Sequence, residues 1–310
     1  MQAFIFPGQA SQHVGMGREL FQQYSEARDI YEGASEVLGW DVARVSFEGP
    51  AEDLTRTDIT QPAILVHSIA CLAVLRKMGV DADMVAGHSL GEYSALVAAG
   101  ALSLPHALRL VKLRGELMYQ AGLDRPGTMA AIIGLADEEV ALVCAQAGER
   151  GVVQVANFNS PGQVAVSGEI PAVERAMELA LERGAKRAVR LAVSGAFHSP
   201  LMESAVEGLR QALREVEIGR AAIPVYANVS AAPIEDPGEI RANLERQIES
   251  PVRWRQSIER MAEAGAERFL EVGPGRVLIG LVRKTVRGAT VLNAEDPLTV
   301  ARAVESFASA

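Results

Sequence analysis

Residues 83–102 read DMVAGHSLGEYSALVAAGAL, and this stretch decides the fold. A short apolar run at 83–87 stops at Gly87-His88-Ser89-Leu90-Gly91, and an alanine- and leucine-rich segment follows at 90–102. The pattern predicts a strand, a sharp turn and a helix, the setting in which G-x-S-x-G carries a nucleophile. The glycines permit the tight backbone and the turn lifts Ser89 out of the sheet. The start of the helix offers free N–H groups at the positive end of its dipole. Read structurally, Ser89 is a plain turn serine; read chemically, it is a nucleophile.

Working outward, AFIF at 3–6 is a short strand ended by Pro7-Gly8. A helix is predicted from Thr60 to Gly79, with Thr60 as N-cap and Pro62 at the first position, where a missing N–H costs nothing. Another helix spans 105–122. Strands alternating with helices predict an α/β fold with a parallel, helix-covered sheet. The middle of the chain differs: strands at 128–135, 152–156, 164–167 and 188–193 enclose helices at 137–150 and 171–183. That βαββαβ order is the ferredoxin-like arrangement. It places a small domain at 125–195 inside a larger one made of 1–124 and 196–310. The larger unit resumes with a strand in PVYANV (224–229) and ends with FLEVGPGRVLIGLVRK (269–284).

Composition narrows the function classes. With 310 residues, 49% hydrophobic and 22% charged, the chain exceeds twice the ~150 residues of a typical domain and can build one large and one small core. No period of 20 to 50 residues repeats. A net charge of -9 argues against nucleic-acid binding, because phosphate recognition needs a basic face. Cys71 and Cys144 stand far apart with no zinc spacing, which suits a reducing cytosol and offers no metal site. The N-terminus lacks a basic n-region, and the longest apolar stretch, 63–75, falls short of the ~18–20 residues that span a bilayer. A cytoplasmic protein without a membrane segment is expected.

Ser89 needs a base, since a free hydroxyl is a weak nucleophile at neutral pH. Of five histidines, His88 adjoins the serine and points elsewhere, and His13, His67 and His106 have no visible partner. His198, in Gly195-Ala-Phe-His-Ser-Pro, lies on an irregular segment just after the small domain; it reads as a base or as a structural histidine. The only aspartates between Ser89 and His198 are Asp124 and Asp137, and neither ends a core strand. A Ser–His dyad, its imidazole oriented by a backbone carbonyl or an amide side chain, therefore fits better than a hydrolase triad. Arg114 falls within the apolar arc of its helix, among Ala107, Leu108, Leu110, Val111, Leu117 and Met118. An inward guanidinium must meet an anion, either an internal carboxylate or a substrate carboxylate. Two windows, 183–202 and 272–294, are rich in Lys and Arg. Lys186, Arg187, Lys284 and Arg287 in them predict a local basic surface for an acidic partner.

FPGQASQHVGMG (6–17), TQPA (60–63), GHSLGEYSAL (87–96), LRGELM (113–118), ANFNSPGQ (156–163), GAFHSPLM (195–202), QIESPVRW (247–254) and EVGPGRVL (271–278) run over the whole chain. Together they resemble malonyl-CoA:acyl carrier protein transacylases and the acyltransferase domains of fatty-acid and polyketide synthases. The resemblance implies an α/β-hydrolase-like core with a ferredoxin-like insert, and malonyl transfer from malonyl-CoA to acyl carrier protein without a metal or tightly held cofactor. It implies Ser89 as nucleophile, His198 as base and Arg114 as clamp for the malonyl carboxylate. Gln9 and Leu90 would supply oxyanion-hole amides, Gln247 would support the site beside the histidine, and Asn157 would lie near the entrance. Phe197, before the histidine, goes with malonyl rather than methylmalonyl, because a ring there crowds an α-methyl group. Ala10 departs from the family's FPGQGSQ, where glycine stands. A thioesterase on the same core, with water as acceptor, a polyketide-pathway acyltransferase and a non-enzymatic docking module are the rival readings.

Overall fold

Strand β1 (Gln2–Phe6) carries Ala3, Phe4, Ile5 and Phe6 with every side chain buried, the run expected of a strand covered on both faces. In the computed structural model, which describes residues 1–307, β1 lies inside a six-stranded sheet with β2 (Met84–Gly87) on one side. The other strands of the chain are β3 (Thr128–Ile133), β4 (Val153–Ser160), β5 (Gln163–Gly168), β6 (Arg187–Arg190), β7 (Val225–Tyr226), β8 (Pro233–Ile234), β9 (Arg268–Val272) and β10 (Thr290–Ala294). The large sheet has the order β10-β9-β1-β2-β7-β8 and is parallel apart from β8, which pairs antiparallel with β7. The predicted parallel sheet thus gains a short antiparallel edge. Of PVYANV only Val225 and Tyr226 pair as strand.

The second sheet, β4-β5-β3-β6, is antiparallel throughout. The helices Asp137–Ala147 and Ile170–Glu182 pack with it around a separate apolar cluster that includes Ile132, Val140, Val143, Val166, Val173 and Ala176. The two connections to the large sheet run side by side. A Cβ at Gly122 would meet the Ser194 carbonyl oxygen at 2.6 Å, and one at Gly127 would meet Ala196 Cβ at 2.6 Å.

Several element ends differ from the sequence reading. The helix expected from Thr60 begins a turn earlier, as Thr57–Lys77, so Thr60 is no N-cap and Pro62 lies inside the helix. The Thr60 hydroxyl instead donates to the Leu54 carbonyl, at the end of a short helix Ala51–Thr55. The segment expected to be helical over 90–102 is helical over Gly91–Ala98 and then turns at Gly100. Helix Thr57–Lys77 is long and apolar enough to cross a bilayer, yet nearly all of it is packed inside the molecule. It is a core helix. Among the described residues no group of three or more His, Cys, Asp or Glu is placed to hold a metal ion.

Candidate active site

Two loops leaving the carboxyl ends of neighbouring parallel strands meet over the sheet, where open α/β sheets bind their ligands. One is Pro7-Gly8-Gln9 after β1, the other His88-Ser89-Leu90 after β2. Their close approach requires glycine. A Cβ at Gly8 would meet the His88 carbonyl oxygen at 2.5 Å, and one at Gly91 would run into the Phe6 carbonyl. Ser89 sits at the apex with φ 52°, a left-handed conformation that costs a non-glycine residue about 1–3 kcal/mol. Asn228, just past β7, holds the strained turn: its Oδ1 accepts from the Ser89 N–H at 2.6 Å and its Nδ2 donates to the Gly87 carbonyl at 2.6 Å.

His198 is brought to the serine from the segment that returns from the second sheet. Its φ is 56°, and its carbonyl accepts from Gln154 Nε2 at 2.8 Å. Nε2 lies 2.7 Å from Ser89 Oγ, while Nδ1 faces the carbonyls of Gln247 and Ser250 at 2.9 and 3.1 Å. Carbonyls only accept, so Nδ1 carries the proton and the Nε2 lone pair faces the serine hydroxyl. Burial, and then the Arg114 charge, lower the imidazole from 6.5 to about 3, so the ring is neutral at physiological pH. Among the described residues no aspartate completes a triad; two backbone carbonyls orient the ring.

Arg114 projects from helix Leu104–Asp124 and is 1% exposed. Gly115 beside it lets this helix close on Thr57–Lys77, since a Cβ there would meet the Thr57 carbonyl at 2.7 Å. The guanidinium donates to Gln61 Oε1 at 2.6 Å, to Gln247 Oε1 at 3.0 Å and to Ser89 Oγ at 3.0 Å. Its Nε has no partner, and among the described residues no carboxylate forms an ion pair with it. The internal-carboxylate reading of Arg114 therefore fails at contact distance. The nearby carboxylate is Glu92, buried in the first turn of helix Gly91–Ala98. Its Oε2 accepts from Gln247 Nε2 at 2.6 Å and from the Asn228 N–H at 3.2 Å. Burial raises its carboxyl from 4.5 to about 7 against the opposing pull of Gln247, Asn228 and Arg114.

The cleft over these groups has a volume of about 420 Å³ and is lined by Gln9, Ser89, Leu90, Arg114, Asn157, Phe197 and His198 among others. Among the described residues the backbone N–H groups of Gln9 and Leu90 have no partner in the chain, whereas the Gln9 side chain donates to Thr57 Oγ1 at 3.2 Å. Asn157 is buried in β4, which bridges to Val252 through Phe158 N–H and so ties the second sheet to the His198 support. Gln247 bonds both the Ser89 carbonyl and Glu92. His88 is half-buried, its Nε2 2.9 Å from Asn159 Oδ1 and its ring against Trp254. His67 is buried against Tyr31 and Cys71, away from the serine.

Glu92, Asn228, Gln61 and Gln154 were not singled out from the sequence. Glu92 had a signal, being the one charged residue in an otherwise apolar helix. Of the basic windows, Arg183, Arg190 and Arg276 are paired with Glu139, Glu174 and Glu295. Lys186 and Lys284 meet at one shallow groove that also includes Gln163, a residue of the cleft.

The acyl transferase domain model matches residues 3–305. The malonyl CoA-acyl carrier protein transacylase of Bacillus subtilis (strain 168) is 46% identical over 306 residues, covering 98% of this chain and 96% of that protein. The Escherichia coli (strain K12) protein of the same name is 43% identical over 304 residues, covering 98% of each. A crystal structure of an acyl carrier protein S-malonyltransferase from Vibrio cholerae superposes with a TM-score of 0.94 at 45% identity, covering 97% of this chain and 99% of that one. A malonyl-transacylase solved in complex with a type II polyketide acyl-carrier protein superposes at 0.95 with 41% identity, covering 98% and 99%. The apposed loops, the strained serine and the buried arginine thus belong to a fold shared over the whole length of these relatives, and the chain is a member of the acyl transferase family.

Proposed function

We propose that Ser89 and His198 form the dyad of a two-step acyl exchange and that Arg114 selects the acyl group. The enzyme transfers the malonyl group of malonyl-CoA to acyl carrier protein and supplies fatty-acid synthesis. The observation that carries the residue assignment is the position of Ser89 Oγ, 2.7 Å from His198 Nε2 and 3.0 Å from Arg114. His198 takes the hydroxyl proton as Oγ attacks the thioester carbonyl. The tetrahedral oxyanion is held by the Gln9 and Leu90 amides, the carbon–sulfur bond breaks, and coenzyme A leaves with the proton returned by His198. The phosphopantetheine thiol of acyl carrier protein then attacks malonyl-Ser89 by the reverse steps. One methylene separates the two carbonyl carbons of a malonyl group. A carboxylate on Arg114 therefore sets the thioester beside Ser89. Phe197 narrows the space for an α-substituent, and Asn157 and Gln247 support the cleft wall and the histidine. The reaction needs no metal or cofactor beyond the coenzyme A thioester.

We read residues 125–195 as a ferredoxin-like domain inserted into the α/β-hydrolase-like unit 1–124 and 196–310. Supporting this are the βαββαβ order, the separate apolar cluster and the adjacent connections. The two free, buried cysteines support a cytoplasmic location. Acyl carrier protein docks over the groove where Lys186 and Lys284 meet, beside the cleft.

The test is product analysis with malonyl-CoA in the presence and absence of carrier protein. Transfer predicts coenzyme A release that depends on carrier protein and a malonyl-carrier product. Free malonate as the main product in both arms would favour the thioesterase reading. Reversing the charges of Lys186 and Lys284 should slow only the carrier-protein step.

A further inference from the structure

The Glu92 carboxylate has no atom on the serine, the histidine or the guanidinium, yet it touches the residues that hold all three. The Glu92 backbone N–H donates to the Ser89 carbonyl at 3.1 Å. The residue is 1% exposed, and its Oε2 receives Gln247 Nε2 at 2.6 Å and the Asn228 N–H at 3.2 Å. Gln247 Nε2 also donates to the Ser89 carbonyl at 2.9 Å. Both hydrogens of that amide are thereby committed, and its carbonyl end must face Arg114, where Oε1 accepts at 3.0 Å. A flipped amide would set N–H against N–H and push the guanidinium away. We infer that Glu92 is a positioning residue that fixes the amide orientation of Gln247 and thereby makes the site selective for acyl groups carrying a carboxylate.

The arrangement has a chemical logic. A carboxylate in direct contact with Arg114 would close the site to a substrate carboxylate. Gln247 stands between Glu92 and Arg114, so Arg114 is held by the neutral oxygens of Gln61, Gln247 and Ser89 and keeps N–H groups to offer. This inference rests on Arg114 being the carboxylate clamp.

The experiment measures the rate of Ser89 acylation by malonyl-CoA and by acetyl-CoA, using intact mass, and compares the malonyl-to-acetyl ratio among variants. Glu92→Leu removes the acceptor and should lower the ratio about tenfold or more. Glu92→Gln keeps an oxygen where the Gln247 and Asn228 donors demand one, and should keep the ratio within about twofold. Where the leucine variant does not fold, Glu92→Asp, too short to reach Gln247, should show the same loss. An unchanged ratio in Glu92→Leu and Glu92→Asp overturns the inference, as does an equal loss for both substrates. Arg114→Ala separates the two readings. If it leaves the ratio unchanged, the clamp itself fails; if it collapses the ratio while Glu92→Leu does not, only the role of Glu92 falls.

Discussion

A buried arginine without a contacting carboxylate is the least economical residue in the molecule, because a guanidinium cannot shed its charge. Burial lowers the affinity of Arg114 for its proton, while Tyr93 and Glu92 work in the opposite direction. The missing partner at contact distance is what a substrate carboxylate would supply. Arg114→Ala should therefore slow acylation by malonyl-CoA far more than by acetyl-CoA, which has no carboxylate to lose. Charge-assisted hydrogen bonds contribute roughly 1.5–3 kcal/mol each. A bidentate pair thus predicts a difference of at least about tenfold in relative kcat/KM. Equal losses for both substrates would make Arg114 structural. This residue was legible in the sequence as an inward arginine on an apolar arc, but its anion was not, since Gln61 and Gln247 come from other helices. Asn228 was less legible still: it lies in a run read as strand, and only the tertiary approach of β7 to β2 shows that its amide holds the serine turn.

At the scale of the element, the loop after β1 records a departure that the sequence exposed and the backbone explains. Ala10, which stands where the motif that the loop resembles has glycine, has φ 79°, a left-handed backbone conformation. That conformation costs an L-residue roughly 1–2 kcal/mol. Ala10→Gly should raise stability in urea unfolding, by less than about 1 kcal/mol once the greater freedom of glycine in the unfolded chain is counted. A loss of stability would mean that the methyl packs favourably. The strand–turn–helix around Ser89 was readable because three local signals agree there: an apolar strand, glycines and a helix former. Element ends were less readable. Thr60-Gln61-Pro62 looks like a helix start, but the preceding short helix Ala51–Thr55 accepts the Thr60 hydroxyl and lets helix Thr57–Lys77 begin earlier. Strand β7 is shorter than the run PVYANV suggests, since only Val225 and Tyr226 pair with β2 on one side and β8 on the other.

For the whole molecule, four buried groups set opposing pH dependences. His67 and His198 fall from 6.5 to about 3, chiefly through burial, and Glu92 and Glu271 rise from 4.5 to about 7 for the same reason. On acidification from pH 6.5 to 3 the unfolded chain takes up protons at the histidines that the folded chain refuses, so stability falls. Between pH 7 and 4.5 the folded chain protonates the glutamates first, so stability rises as pH falls. Across 4.5–6.5 the two contributions oppose; below 4.5 only the histidine loss remains. Unfolding free energy should therefore drop more steeply from pH 4.5 to 3 than from 6.5 to 4.5, and His198→Gln should make the lower limb shallower. Equal slopes in both ranges would contradict the burial of these groups. The two sheets meet at the cleft, with His198 delivered from one side and Ser89 from the other, so the chemistry depends on the whole chain being assembled. The most direct test of that chemistry is the intact mass of the protein after mixing with malonyl-CoA. The native chain should gain one malonyl group, located at Ser89, and lose it when acyl carrier protein bearing its thiol is added. Ser89→Ala should gain none and fall in turnover by about 10⁴ to 10⁶. A malonyl adduct on Ser89→Ala, or transfer at an undiminished rate without one, would contradict the account.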